Sequence, residues 1–176
     1  KIIEPTLNAI NEQGGVYKGF LYIGLMIKNN DPFLIEFNVR MGDPECQTIL
    51  PTLNTDLFDV LISCCDGTLN QININFSKLK SICVVLCSNG YPEKFENNIE
   101  IKDLELLKLT DYQNIFHAGT LKTKKGIISN GGRVLNFVSI SDDFSKCRNE
   151  AINLIKKLNW KNGYFRGDIG HKVIKK

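Results

Sequence analysis

Five polar side chains of three chemical kinds fall within ten residues: Glu36, Asn38, Arg40, Asp43 and Glu45, in the stretch PFLIEFNVRMGDPECQ at 32–47. A carboxylate and an amide oxygen two positions apart can converge on one hard cation. An arginine two positions further along can hold a phosphate oxygen beside it. Mg²⁺ takes about six oxygens at about 2.1 Å and usually draws only one or two from protein, leaving the rest to phosphates and water. The spacing of Glu36, Asn38 and Arg40 suits such a face, although an edge strand with one wet polar side shows the same alternation.

Positioning these groups requires a strand. The apolar run at 32–35 and the strict alternation after it predict one, with Phe37 and Val39 on one face and Glu36, Asn38 and Arg40 on the other. Gly42 and the restricted Asp43-Pro44 step end it and place two further carboxylates, Asp43 and Glu45, just beyond. Residues 17–27 read as a partner strand joined through the polar turn 28–31. Gly19 and Gly24 within it mark a bulge, a close backbone approach or plain sheet packing. Ile3, Leu7 and Ile10 form a helical stripe that starts near Glu4, with Pro5 in the first turn, and ends at Gly14-Gly15. Thr55 is the expected cap of a helix carrying Leu57, Leu61 and Cys64 and closed by Asp66-Gly67.

A composition change follows. Residues 69–79 are rich in Asn and lack a period, which predicts a division into 1–67, a linker at 68–78, and 79–176. Residues 81–88, SICVVLCS, read as a core strand ended by Asn-Gly-Tyr-Pro. His117 and Arg133 stand beside glycine-marked turns, the second opening a strand at 133–140. Ser141 is the expected cap of a helix with Phe144, Cys147, Ala151, Leu154 and Leu158 inward and Lys146, Arg148, Glu150, Lys156 and Lys157 outward. In the tail, Gly163, Gly167 and Gly170 allow a tight fold around Arg166 and Asp168. The elements together define an α+β chain, mixed in its α and β content.

Hydrophobic residues at 43% and charged residues at 23% describe an ordinary globular protein. The net charge of +3 arises from 22 basic and 19 acidic residues. The basic residues are scattered except for KTKK at 122–125 and the last lysines, so nucleic acid is not an expected partner. No apolar run approaches the roughly 20 residues that cross a bilayer, and the start lacks a signal-peptide pattern. Cys46, Cys64, Cys65, Cys83, Cys87 and Cys147 form no CxxC pair and read as core thiols of a reducing, cytoplasmic compartment. A start at KIIEP rather than methionine is compatible with a fragment or a processed product.

EFNVRMGDPECQTILP resembles the magnesium-binding strand and following turn of the phosphoribosylamine–glycine ligases (glycinamide ribonucleotide synthetases) of the ATP-grasp superfamily. YKGFLYIGLM at 17–26, SNGYP at 88–92, FHAGT at 116–120, NGGRVL at 130–135 and YFRGDIGHKVI at 164–174 resemble further phrases of that family, in family order. The likeness covers nearly the whole chain and only the C-terminal part of the enzyme. It implies the end of an ATP-grasp subdomain followed by a small, mainly antiparallel β domain with a packed helix.

The reaction it implies joins glycine to 5-phosphoribosylamine with ATP as cosubstrate, through a glycyl phosphate. It implies Glu36 and Asn38 as ligands of Mg²⁺ or Mn²⁺ and Arg40 as the catalytic phosphate-stabilising group, with an ion pair to Asp43 or Glu45 as the alternative for Arg40. Asp43, Glu45, His117, Arg133 and Arg166 are candidate substrate contacts, each with an ordinary structural alternative. The family's basic residue at position 167 is Gly here, so a phosphate contact from that place is not carried over. The N-terminal and nucleotide-binding parts of such an enzyme are expected partners, without which the 176 residues are not expected to turn over. Another ATP-grasp carboxylate–amine or carboxylation enzyme, or a structural or partner-binding remnant, would share these features.

Overall fold

A computed structural model describes residues 1–174. The chain divides into two compact units, one made of Lys1–Asp43 and Leu53–Phe76, the other of Pro44–Thr52 and the chain from Ser77 onward.

In the first unit, helix α1 (Ile3–Glu12) takes Pro5 in its first turn, where the missing N–H removes no helical bond. Strands β1 (Tyr22–Lys28) and β2 (Asp31–Asn38) pair antiparallel as a two-stranded ribbon. The loop between them is Asn29-Asn30, both in the left-handed region (φ 52° and 60°). Two successive left-handed residues make a type I′ turn, whose twist matches that of the flanking strands. The ribbon begins later than the sequence suggests: the Tyr17 hydroxyl donates to the Phe20 carbonyl and Gly19 sits at φ 138°, so the chain bends before Tyr22. Pairing slips by one residue between Gly24 and Leu25, and Ile35 is left as the extra residue of a bulge.

Two short helices follow the ribbon. Helix α2 (Glu45–Ile49) belongs to the second unit, and α3 (Leu57–Asp66) to the first. Asp56, not Thr55, caps α3, accepting the Phe58 N–H at 2.8 Å. The Thr55 hydroxyl instead accepts the Asn75 N–H. Gly67 closes α3 at φ 76°, as expected.

The second unit is built on a four-stranded antiparallel sheet in the order β4-β7-β3-β8, from β3 (Lys80–Ser88), β4 (Gln113–His117), β7 (Arg133–Ser141) and β8 (Gly163–Tyr164). Strands β5 (Thr120–Thr123) and β6 (Gly126–Ser129) form a separate hairpin that the sequence did not announce, with Lys124-Lys125 at its turn. Helix α4 (Phe144–Leu158) lays Cys147, Ala151, Leu154, Ile155 and Leu158 against Ile82, Val84, Leu86, Leu135 and Phe137. Asp143 caps it, accepting the Lys146 N–H, whereas Ser141 remains the last strand residue and donates to Asp142. Glu150, expected to face outward, accepts a 2.6 Å bond from the buried Ser139 hydroxyl. A buried hydroxyl needs a partner, and the adjacent helix supplies it.

Every buried hydrophobic side chain among the described residues lies between Ile82 and Leu158. Of the cysteines, Cys83, Cys87 and Cys147 are core thiols as expected, whereas Cys65 is exposed. No described helix is long and apolar enough to cross a membrane.

Candidate functional site

Glu36 and Asn38 are directly opposite Gly24 and Tyr22 in the ribbon, so all four share one face of it. Asn38 Nδ2 donates to Glu36 Oε1 at 3.0 Å, which brings the two side-chain heads together at the surface. Half a turn of the amide exchanges Nδ2 for Oδ1 at that place. Two oxygens about 3 Å apart span one edge of an octahedron whose metal–oxygen distances are about 2.1 Å. The donor set therefore fits a hard divalent cation. Among the described residues no group of three or more His, Cys, Asp and Glu is arranged to hold a metal.

Arg40 is not on the strand. The ladder ends at Tyr22–Asn38 because β1 begins there, and Arg40 lies on the bend beyond, its Nη1 donating to the Met41 carbonyl at 3.0 Å. Asp43 closes the first stretch of unit one, whereas Glu45 opens α2 in unit two, where a carboxylate is favoured by the helix N-terminus.

The remaining candidates gather at one end of the four-stranded sheet. Arg133 pairs with Cys87, and Cys87 with Tyr164, in one row across β7, β3 and β8; His117 pairs with Leu135 two positions along. Three phrases noted in the sequence meet here through backbone. Ser88 N–H donates to the Gly132 carbonyl, Ser88 Oγ to the Gly131 carbonyl, and Gly119 N–H to the Arg133 carbonyl. The approach is so close that a Cβ on Gly132 would lie 2.1 Å from Tyr91 Cδ2, and one on Gly119 2.7 Å from the Arg133 oxygen. His117 Nδ1 lies 2.9 Å from Thr120 Oγ1.

Arg166 follows Tyr164 by two positions but its fork is engaged, Nε and Nη2 bonding Asp168 at 3.0 and 2.6 Å. Hydrogen bonding by Arg166, more than its charge, holds the Asp168 carboxyl below the ordinary carboxylate value. The pair is formed above the ordinary carboxylate pKa and is lost as pH falls through the depressed one. Arg166→Ala is expected to move the Asp168 carboxyl titration upward, as read by carbon NMR; an unmoved midpoint would show that the pair does not persist in solution.

The first unit presents a cation-suited strand face and the second an antiparallel sheet whose glycine-rich loops converge at one edge. Both features agree with the resemblance to the end of an ATP-grasp domain and its C-terminal neighbour. Two family models match in that order: phosphoribosylglycinamide synthetase, ATP-grasp (A) domain, over residues 1–46, and phosphoribosylglycinamide synthetase, C domain, over residues 81–172. The chain belongs to the phosphoribosylglycinamide synthetase family.

It is 40% identical over 178 residues to the chloroplastic phosphoribosylamine–glycine ligase of Arabidopsis thaliana, covering 99% of this chain and 34% of that protein. To the phosphoribosylamine–glycine ligase of Brucella melitensis it is 35% identical, covering 100% of this chain and 41% of that one. The crystal structure of the Thermotoga maritima phosphoribosylamine–glycine ligase superposes with a TM-score of 0.71 at 31% identity, over 94% of this chain and 40% of that chain. The chain thus spans about a third to two fifths of the length of the first two relatives.

Proposed function

We propose that the full-length polypeptide carrying this sequence is an ATP-dependent ligase that joins glycine to 5-phosphoribosylamine, giving glycinamide ribonucleotide, ADP and phosphate. The observation that carries the reading is the meeting of the Glu36 and Asn38 side chains on one strand face, within a family likeness that runs the length of the chain.

The chemistry needs two displacements. A glycine carboxylate oxygen takes the γ-phosphoryl group of ATP as the bond to the β-bridging oxygen breaks, and ADP leaves. The amine nitrogen of 5-phosphoribosylamine then attacks the carbonyl carbon of glycyl phosphate, phosphate leaves with the bonding pair, and the amine gives up a proton. The first step brings an anion to a polyanion, so most of the catalysis is positioning and charge screening. Mg²⁺ or Mn²⁺ bound there would supply that screening as a Lewis acid. Glu36 and Asn38 would hold it.

Arg40, on its exposed bend, is the group of this chain suited to a phosphoryl oxygen, since its fork matches phosphate geometry. It reaches that role by exchanging its bond to the Met41 carbonyl. Asp43 and Glu45 are assigned to shaping the glycine or amine site. His117 and Arg133, together at the sheet end, are assigned to the substrate phosphate. Arg166 joins them only after parting from Asp168. Six thiols outside any disulfide suit a reducing, cytoplasmic setting.

The test is ADP release by the full-length polypeptide with Mg²⁺, adding glycine and 5-phosphoribosylamine singly and together. Release that requires both substrates is expected. With saturating substrates and an intact fold, no turnover would defeat the assignment.

A further inference from the structure

Gly24 sits directly across the ribbon from Glu36, and a Cβ built on it would lie 2.9 Å from Glu36 Cγ, closer than carbon atoms pack. The same Cβ would stand 3.7 Å from the Glu36 N and O, ordinary contact distances. The conflict is therefore with the Glu36 side chain and not with its backbone. Nor does the backbone of Gly24 itself require glycine: it is absent from the positive-φ residues, unlike Gly19 or Gly67. Glycine is a poor choice for a strand interior, because it loses more conformational freedom than alanine and packs nothing. What its lack of a side chain supplies at this position is room for the Glu36 stem.

We infer that Gly24 is a positioning residue: it lets the Glu36 side chain lie across the ribbon so that its carboxylate meets Asn38 and a divalent cation. The inference rests on the metal reading proposed above. Any side chain at position 24 forces Glu36 to turn about its first torsion angle, and the carboxylate swings off the Asn38 head that it meets at 3.0 Å. The neighbouring pair shows the contrast, since Asn38 faces the full-sized Tyr22 while Glu36 faces bare backbone. The bulge that begins at Gly24 adds local twist at the same point.

The experiment is Mn²⁺ binding to the full-length polypeptide with a non-hydrolysable ATP analogue, read by the electron paramagnetic resonance of free Mn²⁺. It is run on the parent, Gly24→Ala, Glu36→Ala and the double variant, with urea midpoints measured on all four without metal. Gly24→Ala is expected to weaken Mn²⁺ binding about tenfold, in the range found when groups that orient a metal ligand are removed. It is also expected to lower the urea midpoint while Glu36 is present and to leave it level or raised once Glu36 is alanine. That reversal of sign distinguishes a specific conflict with Glu36 from general damage to the sheet, and it remains measurable if Gly24→Ala alone folds poorly. Binding lost in Glu36→Ala but kept in a folded Gly24→Ala overturns the role of Gly24 and leaves the metal reading standing. Binding unchanged in Glu36→Ala removes the metal reading, and the inference with it.

Discussion

Replacing Glu36 by alanine in the full-length polypeptide should lower two-substrate ADP formation by about a hundredfold or more, with the fold intact. The size follows from what is removed. A carboxylate is the only charged member of the Glu36–Asn38 pair, and its loss leaves a neutral amide to hold a divalent ion. Losing even a group that merely orients a metal ligand commonly costs about 10–100-fold, and one preorganised electrostatic contact is worth about 10²–10³ in rate. Stability should move little, because Glu36 is exposed on the ribbon, and surface substitutions fall within about 0.5 kcal/mol. Raising Mg²⁺ should restore part of the rate, since weakened binding is offset by mass action. Glu36→Gln, which keeps length but not charge, should fall between alanine and the parent. The measurement is turnover against Mg²⁺ concentration, with urea midpoints in parallel; a curve that coincides with the parent's would reject the metal role.

Phe137→Ala should destabilise the second unit by about 3–5 kcal/mol, the usual cost of truncating a buried phenylalanine to alanine. Phe137 is fully buried at the middle of β7, one of the two inner strands of the sheet, which pairs with both β3 and β4. Its register partners are Val84 and Ile115, and it shares one cluster with the inward face of α4. Truncation leaves a void that strands on both sides and a helix above cannot all collapse into, because each is fixed by its own ladder or cap. Domains have about 5–15 kcal/mol in total, so the loss is a large fraction. Urea unfolding followed by near-ultraviolet absorbance of the lone Trp160, whose Nε1 donates to the Glu100 carbonyl in this unit, would report it. A shift below about 1.5 kcal/mol would mean that the core relaxes around the missing ring.

Glu36 and Asn38 were legible as one face because the strand period is two, so they must share a side wherever β2 runs. The same rule overreached at Arg40, since alternation in sequence continues after the partner strand has ended. For Gly24 the sequence left open a bulge, a close backbone approach or plain sheet packing; the structure has the bulge, and the close neighbour is the Glu36 side chain and not backbone. The caps of α3 and α4 were misplaced by one and two residues because Thr55 beside Asp56, and Ser141 near Asp143, are chemically equivalent choices. What decides is where each competing residue is already committed: the Thr55 hydroxyl to the Asn75 N–H, and the Ser141 backbone to the end of β7.

The β5–β6 hairpin was illegible for another reason. Its strands have four residues each and its turn is lysine-rich, so neither alternation nor a turn dipeptide stands out. Glu150 could not be read from its helix alone, because what draws it inward is the buried Ser139 on another element. The meeting of 88–92, 116–120 and 130–135 at one sheet end is likewise a fact of topology. No local pattern encodes it, although the glycines at which these loops touch were visible.

The Asn29-Asn30 turn also bears on the order in which the chain can assemble. The widest pair that it closes, Tyr22 with Asn38, is about 16 positions apart, whereas the β3–β7 ladder must join Lys80 to Ser141, about 60 positions apart. Each doubling of a loop adds only about 0.6 kcal/mol of closure entropy, so the difference is near 1 kcal/mol in free energy. In time it is larger, because short hairpins close within about 1–10 μs while non-local sheets wait on chain search. Glu36 and Asn38 can therefore come together before any residue of the β3–β7 ladder has been synthesised.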